Sequence, residues 1–320
     1  MNQAEQKQQS EILRNHKEFL FQAVGVCLSL IVFFCLSVSA QNSLPNAPRA
    51  VVKTYQLESR LMARQMPYNI IFPPAYETEK DTRFPVLYFL HGMGGNYKRL
   101  TEGTKIPEYA AQHRTIIVFP EGGSGFYTDS ATRPNDKYES YIVNELIPEV
   151  DKNLRTIADR KARTVAGFSM GGYGALKFGL KYPDKFILAA SISGGVAMAS
   201  WRKPEDITSP ANIKNVLLSV FGEKNLAALE ANDLFKIVAD LPPEKIAGLP
   251  FIYAACGTED PLIRSNRDFA TLLFEKKIPH EFRQLPGKHN ADFADPQTQE
   301  IFRLSERIFA AQKEVTVSSV

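Results

Sequence analysis

The sequence predicts an α/β fold with an open, mostly parallel central sheet flanked by helices. Four short segments are almost continuously apolar, which is typical of strands whose two faces are both covered by helices. Segments with helical periodicity lie between them, and alternating strands and helices form right-handed βαβ units. The four apolar segments are PVLYFL, TIIVF, ILAASI and FIYAAC.

Strands and helices can be placed along the whole of this region. Strands are predicted at 51–57, 68–72, 85–90, 115–120, 164–168, 186–193, 251–256 and 281–285. Helices are predicted at 138–154, where apolar residues recur on one face, at 261–277, which opens with a proline suited to a first turn, and at 298–313. Residues 201–247 contain short amphipathic pieces and prolines but no strong strand, so we expect a small helical insertion over one end of the sheet.

The N-terminal segment has the order of a secretory signal. Residues 19–40 carry no charge, Arg14 and Lys17 precede them, and Val38-Ser39-Ala40 ends them with small residues. We expect cleavage before Gln41, and the alternative is a retained single-pass membrane anchor. Either reading predicts an exported protein, periplasmic or extracellular, with a linker at 41–50, a catalytic domain at 51–313 and a tail at 314–320.

Charge and cysteine content exclude several classes of function. A formal net charge of +3 in 320 residues does not indicate a nucleic-acid or polyanion partner. Cys27 and Cys35 lie in the apolar N-terminal segment, so only Cys256 remains beyond it and no internal disulfide is expected. Its apolar neighbours predict a buried, inert thiol. The pattern contains no metal-ligand cluster, and we expect no metal or organic cofactor.

The residues Gly167-Phe168-Ser169-Met170-Gly171 fit the pattern G-x-S-x-G. That pattern carries chemistry only where a strand turns sharply into a helix, and here a predicted strand precedes it and a helical pattern follows it. The turn would present the hydroxyl of Ser169 above the sheet, near a helix N-terminus that favours developing negative charge. The alternative is an ordinary structural turn.

A serine nucleophile needs a histidine base and a carboxylate, which in this architecture follow it in the order acid, histidine. His289 lies in a loop after the last predicted strand and is preferred to His280, which begins that strand. The segment after strand 251–256 supplies Asp260, preferred to Glu259. Either carboxylate could instead cap the helix that we expect to open at Pro261.

An oxyanion hole requires two preorganised N–H donors. The residue after the nucleophile, Met170, would supply one. The glycine-rich loop after strand 85–90 would supply the other, and Met93 is the candidate. The loop lacks the lysine and spacing of a P-loop, and His91 is expected to order it rather than to act as the base.

With these parts in place, the sequence resembles the putative esterase family of α/β-hydrolases, which includes esterase D (S-formylglutathione hydrolase), feruloyl and acetyl esterases, tributyrin esterase and the mycolyltransferases. The resemblance implies an α/β-hydrolase fold and the same catalytic set, Ser169, Asp260, His289, Met93 and Met170. It runs from about residue 65 to 310, in family order. The matching stretches are FPVLYFLHGMGGNY, IIVFPEGGSGFYTDS, KYESYIVNELIPEVD, VAGFSMGGYGALKFGLKYPDKF, CGTEDPLIRSNRDFATLL and PGKHN.

Two details of the resemblance bear on the substrate. The stretch EGGSGFYTDS resembles the family loop beside the active site, so Tyr127 and Asp129 are candidates to face the substrate, the alternative being an ordinary surface loop. After His289 the family often has an acidic or polar residue and then an aromatic one. Here the aromatic is delayed to Phe293, which leaves open what forms the wall of the acyl pocket.

The expected function is therefore that of an exported serine carboxylesterase. It would hydrolyse small-acyl, acetyl or feruloyl esters, either small molecules or groups linked to polysaccharides. Acyl transfer to a sugar or lipid acceptor is the alternative, and a non-enzymatic surface binding protein is a third reading. A thioesterase activity like that of S-formylglutathione hydrolase is disfavoured, because export would separate the enzyme from a cytosolic substrate.

Overall fold

A computed structural model describes residues 50–317, with side chains to residue 312, so the predictions for the N-terminal segment lie outside the described residues. Its strands are β1 (Val52–Ser59), β2 (Arg64–Ile71), β3 (Val86–Leu90), β4 (Ile116–Pro120), β5 (Arg163–Phe168), β6 (Leu188–Ile192), β7 (Phe251–Gly257) and β8 (His280–Leu285). Its helices are α1 (Ala75–Thr78), α2 (Arg99–Glu102), α3 (Ile106–Ala110), α4 (Tyr138–Tyr141), α5 (Ile147–Asn153), α6 (Met170–Lys181), α7 (Ala211–Phe221), α8 (Leu226–Glu230), α9 (Leu234–Ala239), α10 (Pro243–Ile246), α11 (Ile263–Glu275) and α12 (Ala291–Val317).

The strands of this described region form one sheet in the order β1-β2-β4-β3-β5-β6-β7-β8. The pairs from β4 through β3 to β8 are parallel, and β1 and β2 add antiparallel pairs at one edge. Each of the eight predicted strands is present, and the prediction of a mostly parallel sheet flanked by helices is confirmed. The carboxyl ends of the parallel strands lie along one rim, and the loops that follow β3, β5, β7 and β8 are therefore neighbours.

The central strands are continuous apolar runs because both faces of the sheet are covered. Every residue of β3, β4 and β6 is buried. Successive side chains point to opposite faces, so Tyr88 and Val165 pack in the cluster with α6, whereas Leu87 and Phe89 pack in the cluster with α12. Burial of apolar side chains on both faces stabilises the sheet at about 25 cal/mol per Å².

The first two predicted helices differ from the expectation in detail. The segment 138–154 is interrupted by a π-helical stretch, Ile142–Leu146, between α4 and α5. The helix predicted from Pro261 begins two residues later, at Ile263, because the side chain of Asp260 accepts a hydrogen bond from the Leu262 amide (2.8 Å) and holds the preceding turn.

The last helix is longer than predicted at both ends. It begins at Ala291, where the side chain of Asn290 accepts a hydrogen bond from the Phe293 amide (3.2 Å) and so caps the first turn. It ends at Val317 and thus extends into the segment 314–320 that the sequence predicted as a tail. Pro296 lies inside this helix and supplies no amide for the hydrogen bond to the carbonyl four residues back.

Residues 201–247 form the predicted helical insertion. A 3-10 turn at Pro204–Asp206 is followed by α7, α8, α9 and α10, and the structure assigns no strand within this stretch. Among the described residues, none of the helices combines the length and apolar character that crossing a bilayer would require.

Candidate active site

Ser169 lies at a sharp turn between β5, which ends at Phe168, and α6, which begins at Met170. Its backbone has φ 58° and ψ −115°, a conformation that is strained for a residue with a Cβ. Neighbouring elements hold it there: the Ser169 amide donates to the Ile192 carbonyl (2.9 Å), and the Ser169 carbonyl accepts from the Tyr173 amide (3.1 Å). The predicted strand–turn–helix context is confirmed.

The glycines around the serine are required by close backbone contacts. A Cβ on Gly171 would lie 2.1 Å from the carbonyl oxygen of Leu90, at the end of β3. A Cβ on Gly167 would lie 2.3 Å from the backbone of Gly171. Real Cβ atoms do not approach backbone atoms so closely, so the two glycines allow β3, β5 and α6 to meet beneath the turn.

We expect Gly171→Ala to destabilise the protein by about 3 kcal/mol, because the obstructing atoms belong to backbone and cannot rotate away. The measurement is the free energy of unfolding from a urea titration followed by circular dichroism. Gly248→Ala is the matched control, since its nearest atom would be the Lys245 carbonyl oxygen at an ordinary 3.5 Å. Equal stabilities of the two variants would contradict the steric argument.

His289 and Asp260 complete a chain of hydrogen bonds that begins at the serine. His289 Nε2 lies 2.9 Å from Ser169 Oγ, and His289 Nδ1 lies 2.8 Å from Asp260 Oδ2. The second carboxylate oxygen, Oδ1, accepts from the Leu262 amide (2.8 Å). Each end of the imidazole thus has a defined partner, and the proton on Nδ1 is directed at the carboxylate.

The surroundings of this chain favour an ionised aspartate. Burial by itself would raise the pKa of Asp260, but hydrogen bonds from His289 and from the Leu262 amide lower it below its ordinary value. The Asp260 side chain is inaccessible to solvent, whereas the His289 side chain is 29% exposed and opens toward the surface. The ring of Phe168 packs on the imidazole with 4.8 Å between centroids, which fixes its plane.

Three loops at the carboxyl rim of the sheet carry these side chains. Asp260 follows β7 and His289 follows β8, and the two loops touch: the Glu259 amide donates to the Gly287 carbonyl (3.0 Å). The less preferred candidates for the acid and the base do not take part in this chain of hydrogen bonds. Glu259 is 57% exposed near Lys288, and His280 Nδ1 lies 2.8 Å from the Ile278 carbonyl.

The candidate oxyanion loop packs directly against the serine. A Cβ on Gly92 would lie 3.4 Å from the Cβ of Ser169, so the loop after β3 is in contact with the turn after β5. Met93 and Met170 line one cavity together with Ser169 and His289. The two residues whose amides the sequence predicts as donors therefore border the cavity that contains Ser169.

His91 orders this loop, as the sequence predicted. Its Nδ1 lies 2.8 Å from the Gly92 carbonyl, and its Nε2 accepts from the Gly122 amide (3.0 Å). These contacts assign the proton to Nδ1, and the side chain is buried. His91 connects the loop after β3 to the loop after β4, which contains residues 121–130.

The two candidates for contact with substrate in loop 121–130 are not placed for it. Tyr127 is fully buried, and its hydroxyl donates to the His91 carbonyl (2.9 Å). Asp129 accepts from the Ser140 amide (2.9 Å), so its carboxylate is used at the beginning of α4. The prediction that these two side chains face the substrate is wrong, because each is turned toward the protein.

The residue of this loop that reaches the site is Phe126, which no sequence pattern indicated. With Met198 and Ile213 it lines the cavity that contains Ser169. Phe126 is adjacent to Tyr127 in sequence, and an aromatic residue is a common wall for an apolar cavity. Ile213 comes from α7, so the helical insertion does contribute to the site.

Neither a metal-ligand group nor an exposed thiol is found among the described residues. Among them, no group of three or more histidine, cysteine, aspartate or glutamate side chains is arranged to hold a metal ion. Cys256 is buried and forms no disulfide, and burial raises its thiol pKa to about 12. An inert thiol was the prediction.

The sheet order, the strained serine after β5 and the contacts with His289 and Asp260 define the α/β-hydrolase fold. The chain belongs to the family described as "Putative esterase", whose model matches residues 59–292. This membership identifies a carboxylic ester hydrolase.

Named relatives agree with this assignment. The chain is 30% identical over 243 residues to an acetyl esterase of Caldicellulosiruptor saccharolyticus. The match spans 73% of this chain and 90% of that protein. It is 31% identical over 254 residues to Esterase Rv1288 of Mycobacterium tuberculosis, and the match spans 73% of this chain but only 55% of that longer protein.

Solved structures extend the likeness to the fold. A ferulic acid esterase superposes with a TM-score of 0.70 at 27% identity, covering 82% of this chain and 99% of that one. The fluorophosphonate-binding serine hydrolase FphF of Staphylococcus aureus superposes with a TM-score of 0.68 at 22% identity, covering 81% and 99%. At 22% identity the second likeness concerns the fold alone.

Proposed function

We propose that this protein is an exported serine carboxylesterase that uses Ser169 as nucleophile, His289 as general base and Asp260 as the orienting acid. The observation that carries the proposal is the chain of hydrogen bonds from Ser169 Oγ through His289 to Asp260, at 2.9 and 2.8 Å. Nucleophile, base and orienter within hydrogen-bond reach are the requirement for covalent acyl transfer.

In the proposed reaction, Ser169 Oγ attacks the ester carbonyl while His289 Nε2 takes the hydroxyl proton. The Met93 and Met170 amides stabilise the oxyanion of the tetrahedral intermediate, and the first of them is held by the contacts of His91. The imidazolium, stabilised by Asp260, then protonates the leaving alcohol. Water, activated by His289, attacks the acyl-serine and releases the carboxylic acid.

The substrates proposed are carboxylic esters with small acyl groups, either small molecules or esters linked to sugars. One named relative is an acetyl esterase, whose name denotes a small acyl group, and a superposed structure is a ferulic acid esterase, whose name denotes a carboxylic ester of a larger acid. Export is proposed from the uncharged segment 19–40 and the small residues that end it. Mass spectrometry of the mature N-terminus tests this part, and a chain beginning at Met1 in the cytoplasmic fraction would contradict it.

The test of the chemistry combines turnover with covalent labelling. The wild-type protein is expected to hydrolyse p-nitrophenyl acetate and to bind one fluorophosphonate probe per chain. Tandem mass spectrometry should locate the adduct on the peptide that contains Ser169. Labelling of a different residue, or ester hydrolysis that continues after Ser169 is fully labelled, would overturn the proposal.

A further inference from the structure

Two separate spaces meet at the candidate active site, and they differ in what lines them. One is a cavity of about 150 Å³ lined by Ser169, both candidate oxyanion residues and mainly apolar side chains. The other is a pocket of about 570 Å³ lined by residues 92–95, Phe168 and the first turns of α12, and Ser169 does not line it. His289 borders both spaces.

An acyl group bonded to Ser169 Oγ must lie in the space that Ser169 lines. This step rests on the proposed function. The alcohol, which His289 protonates, then leaves toward the larger pocket, which His289 also borders. The cavity that Ser169 lines is partly open to solvent. A closed cavity of about 150 Å³ holds a molecule the size of benzene, so the enclosed volume here matches an acyl chain of about six carbon atoms.

Phe126 forms a wall of this cavity in an unusual backbone setting. Both Phe126 and Tyr127 have positive φ, at 51° and 50°, and neither is a glycine. Each such residue costs roughly 1–2 kcal/mol, so the conformation persists only where the surroundings enforce it. The side chain of Phe126 is buried and packs edge-on against Tyr173, with 5.9 Å between ring centroids.

One group that holds this conformation is the ammonium of Lys177, on α6 two turns after the serine. Lys177 Nζ is fully buried and donates to the carbonyl of Tyr127 (2.8 Å) and to the hydroxyl of Thr128 (2.6 Å). That hydroxyl in turn donates to the carbonyl of Phe126 (3.0 Å). Both strained peptide units are therefore tied to a single side chain that does not line the cavity.

We propose that Phe126 determines the longest acyl chain that the enzyme accepts, and that Lys177 is a positioning residue that holds Phe126 in the cavity wall. Met198 and Ile213 line the same cavity, but neither has a positive φ. A methionine side chain adapts the shape of a wall by rotating about its bonds. The backbone of Phe126 is instead held by the hydrogen bonds to its own carbonyl and to that of Tyr127. The limit on chain length follows from the rigid wall.

The first test compares Phe126→Ala with wild type on p-nitrophenyl acetate, butyrate, hexanoate and octanoate. Wild type should lose kcat/KM beyond hexanoate. In the variant the ratio of kcat/KM for octanoate to that for acetate should rise about tenfold or more, since each methylene in an apolar pocket is worth about tenfold at least. Phe274→Ala is the matched control, because Phe274 is 76% exposed, and its ratio should equal that of wild type.

The second test separates positioning from general support. Lys177→Met should raise the octanoate-to-acetate ratio in the same direction, although Lys177 does not line the acyl cavity. Thr128→Val is a milder variant that keeps the side-chain shape and removes the hydroxyl between Lys177 and the Phe126 carbonyl. It should shift the ratio too, in a protein whose circular dichroism and thermal transition remain those of a folded chain.

The outcomes distinguish this inference from the proposed function. If wild type hydrolyses acetate and octanoate with equal kcat/KM, or if Phe126→Ala leaves the ratio unchanged, Phe126 does not limit the chain. If Phe126→Ala shifts the ratio and a folded Thr128→Val does not, Lys177 has no positioning role. If wild type hydrolyses none of the esters, the proposed function itself fails.

Discussion

Replacement of Ser169 by alanine should lower kcat for p-nitrophenyl acetate by a factor on the order of 10⁵–10⁶. The substitution removes the oxygen that forms the acyl-enzyme, and His289 then has no hydroxyl to deprotonate at 2.9 Å. KM should change much less, because the walls of the site remain. The measurement is steady-state kinetics with the protein freshly purified from a strain that lacks background esterase activity.

Asp260→Asn tests the other end of the hydrogen-bond chain that links Ser169, His289 and Asp260. The amide would present a donor where His289 Nδ1 now faces an acceptor at 2.8 Å, which disfavours the tautomer that the base requires. The expected loss in kcat is about 10⁴-fold. Glu259→Gln is the matched control, since that carboxylate is 57% exposed and does not contact the imidazole. A loss of kcat in Glu259→Gln equal to that in Asp260→Asn would contradict the assignment of the acid. Equal activity of wild type and Ser169→Ala would contradict the whole mechanism.

The sheet could be predicted because its strands are buried on both faces. Runs such as Val86–Leu90 and Ile116–Pro120 have no charged or amide side chain, and every residue in them is buried. The π-helical stretch could not be predicted from the same periodicity. The Ile147 amide bonds to Ile142, five residues back, and Pro148 then supplies no amide donor at all, so the hydrogen-bond pattern changes while the apolar face stays in place.

The same contrast holds within the candidate site. Ser169, Asp260 and His289 were predictable because each follows a strand of a parallel sheet, and all such strands end at one rim. The roles within loop 121–130 were not predictable. Two successive non-glycine residues with positive φ decide that Phe126 enters the cavity and Tyr127 turns away, and no residue type in EGGSGFYTDS indicates that conformation.

Lys177 is the clearest case of a role that depends on tertiary contacts. A lysine in an amphipathic helix is normally exposed, yet this one is fully buried. Its partners are Glu139 from α4, the backbone of Tyr127 and the side chain of Asn232 near α9, which are distant in sequence. Burial lowers the pKa of Lys177 to about 8, and Glu139 opposes that shift.

Glu139→Gln should destabilise the protein by about 3–5 kcal/mol, because it leaves the buried ammonium of Lys177 without its counter-ion. Glu139 Oε2 lies 2.8 Å from Lys177 Nζ, and the Glu139 side chain is only 6% exposed. The variant keeps the shape of the side chain, so the loss reports on charge rather than on packing. Urea titration gives the free energy of unfolding. Glu77→Gln, at an exposed carboxylate paired with Lys80, is the matched control and should leave the unfolding midpoint unchanged.

Acid unfolding supplies a second readout of the same pair. Burial alone would raise the pKa of Glu139, but the ammonium groups of Lys177 and Lys181 lower it from 4.5 to about 2. A carboxyl whose pKa is lower in the folded state contributes stability that is present above its unfolded pKa and lost as the pH falls toward the folded one. Between pH 4.5 and 2, wild type should therefore lose stability more steeply than Glu139→Gln, since the glutamine does not titrate. Two results would show that the buried pair does not stabilise the fold. One is an equal loss of stability with falling pH in wild type and Glu139→Gln, and the other is a urea midpoint for Glu139→Gln equal to that of Glu77→Gln.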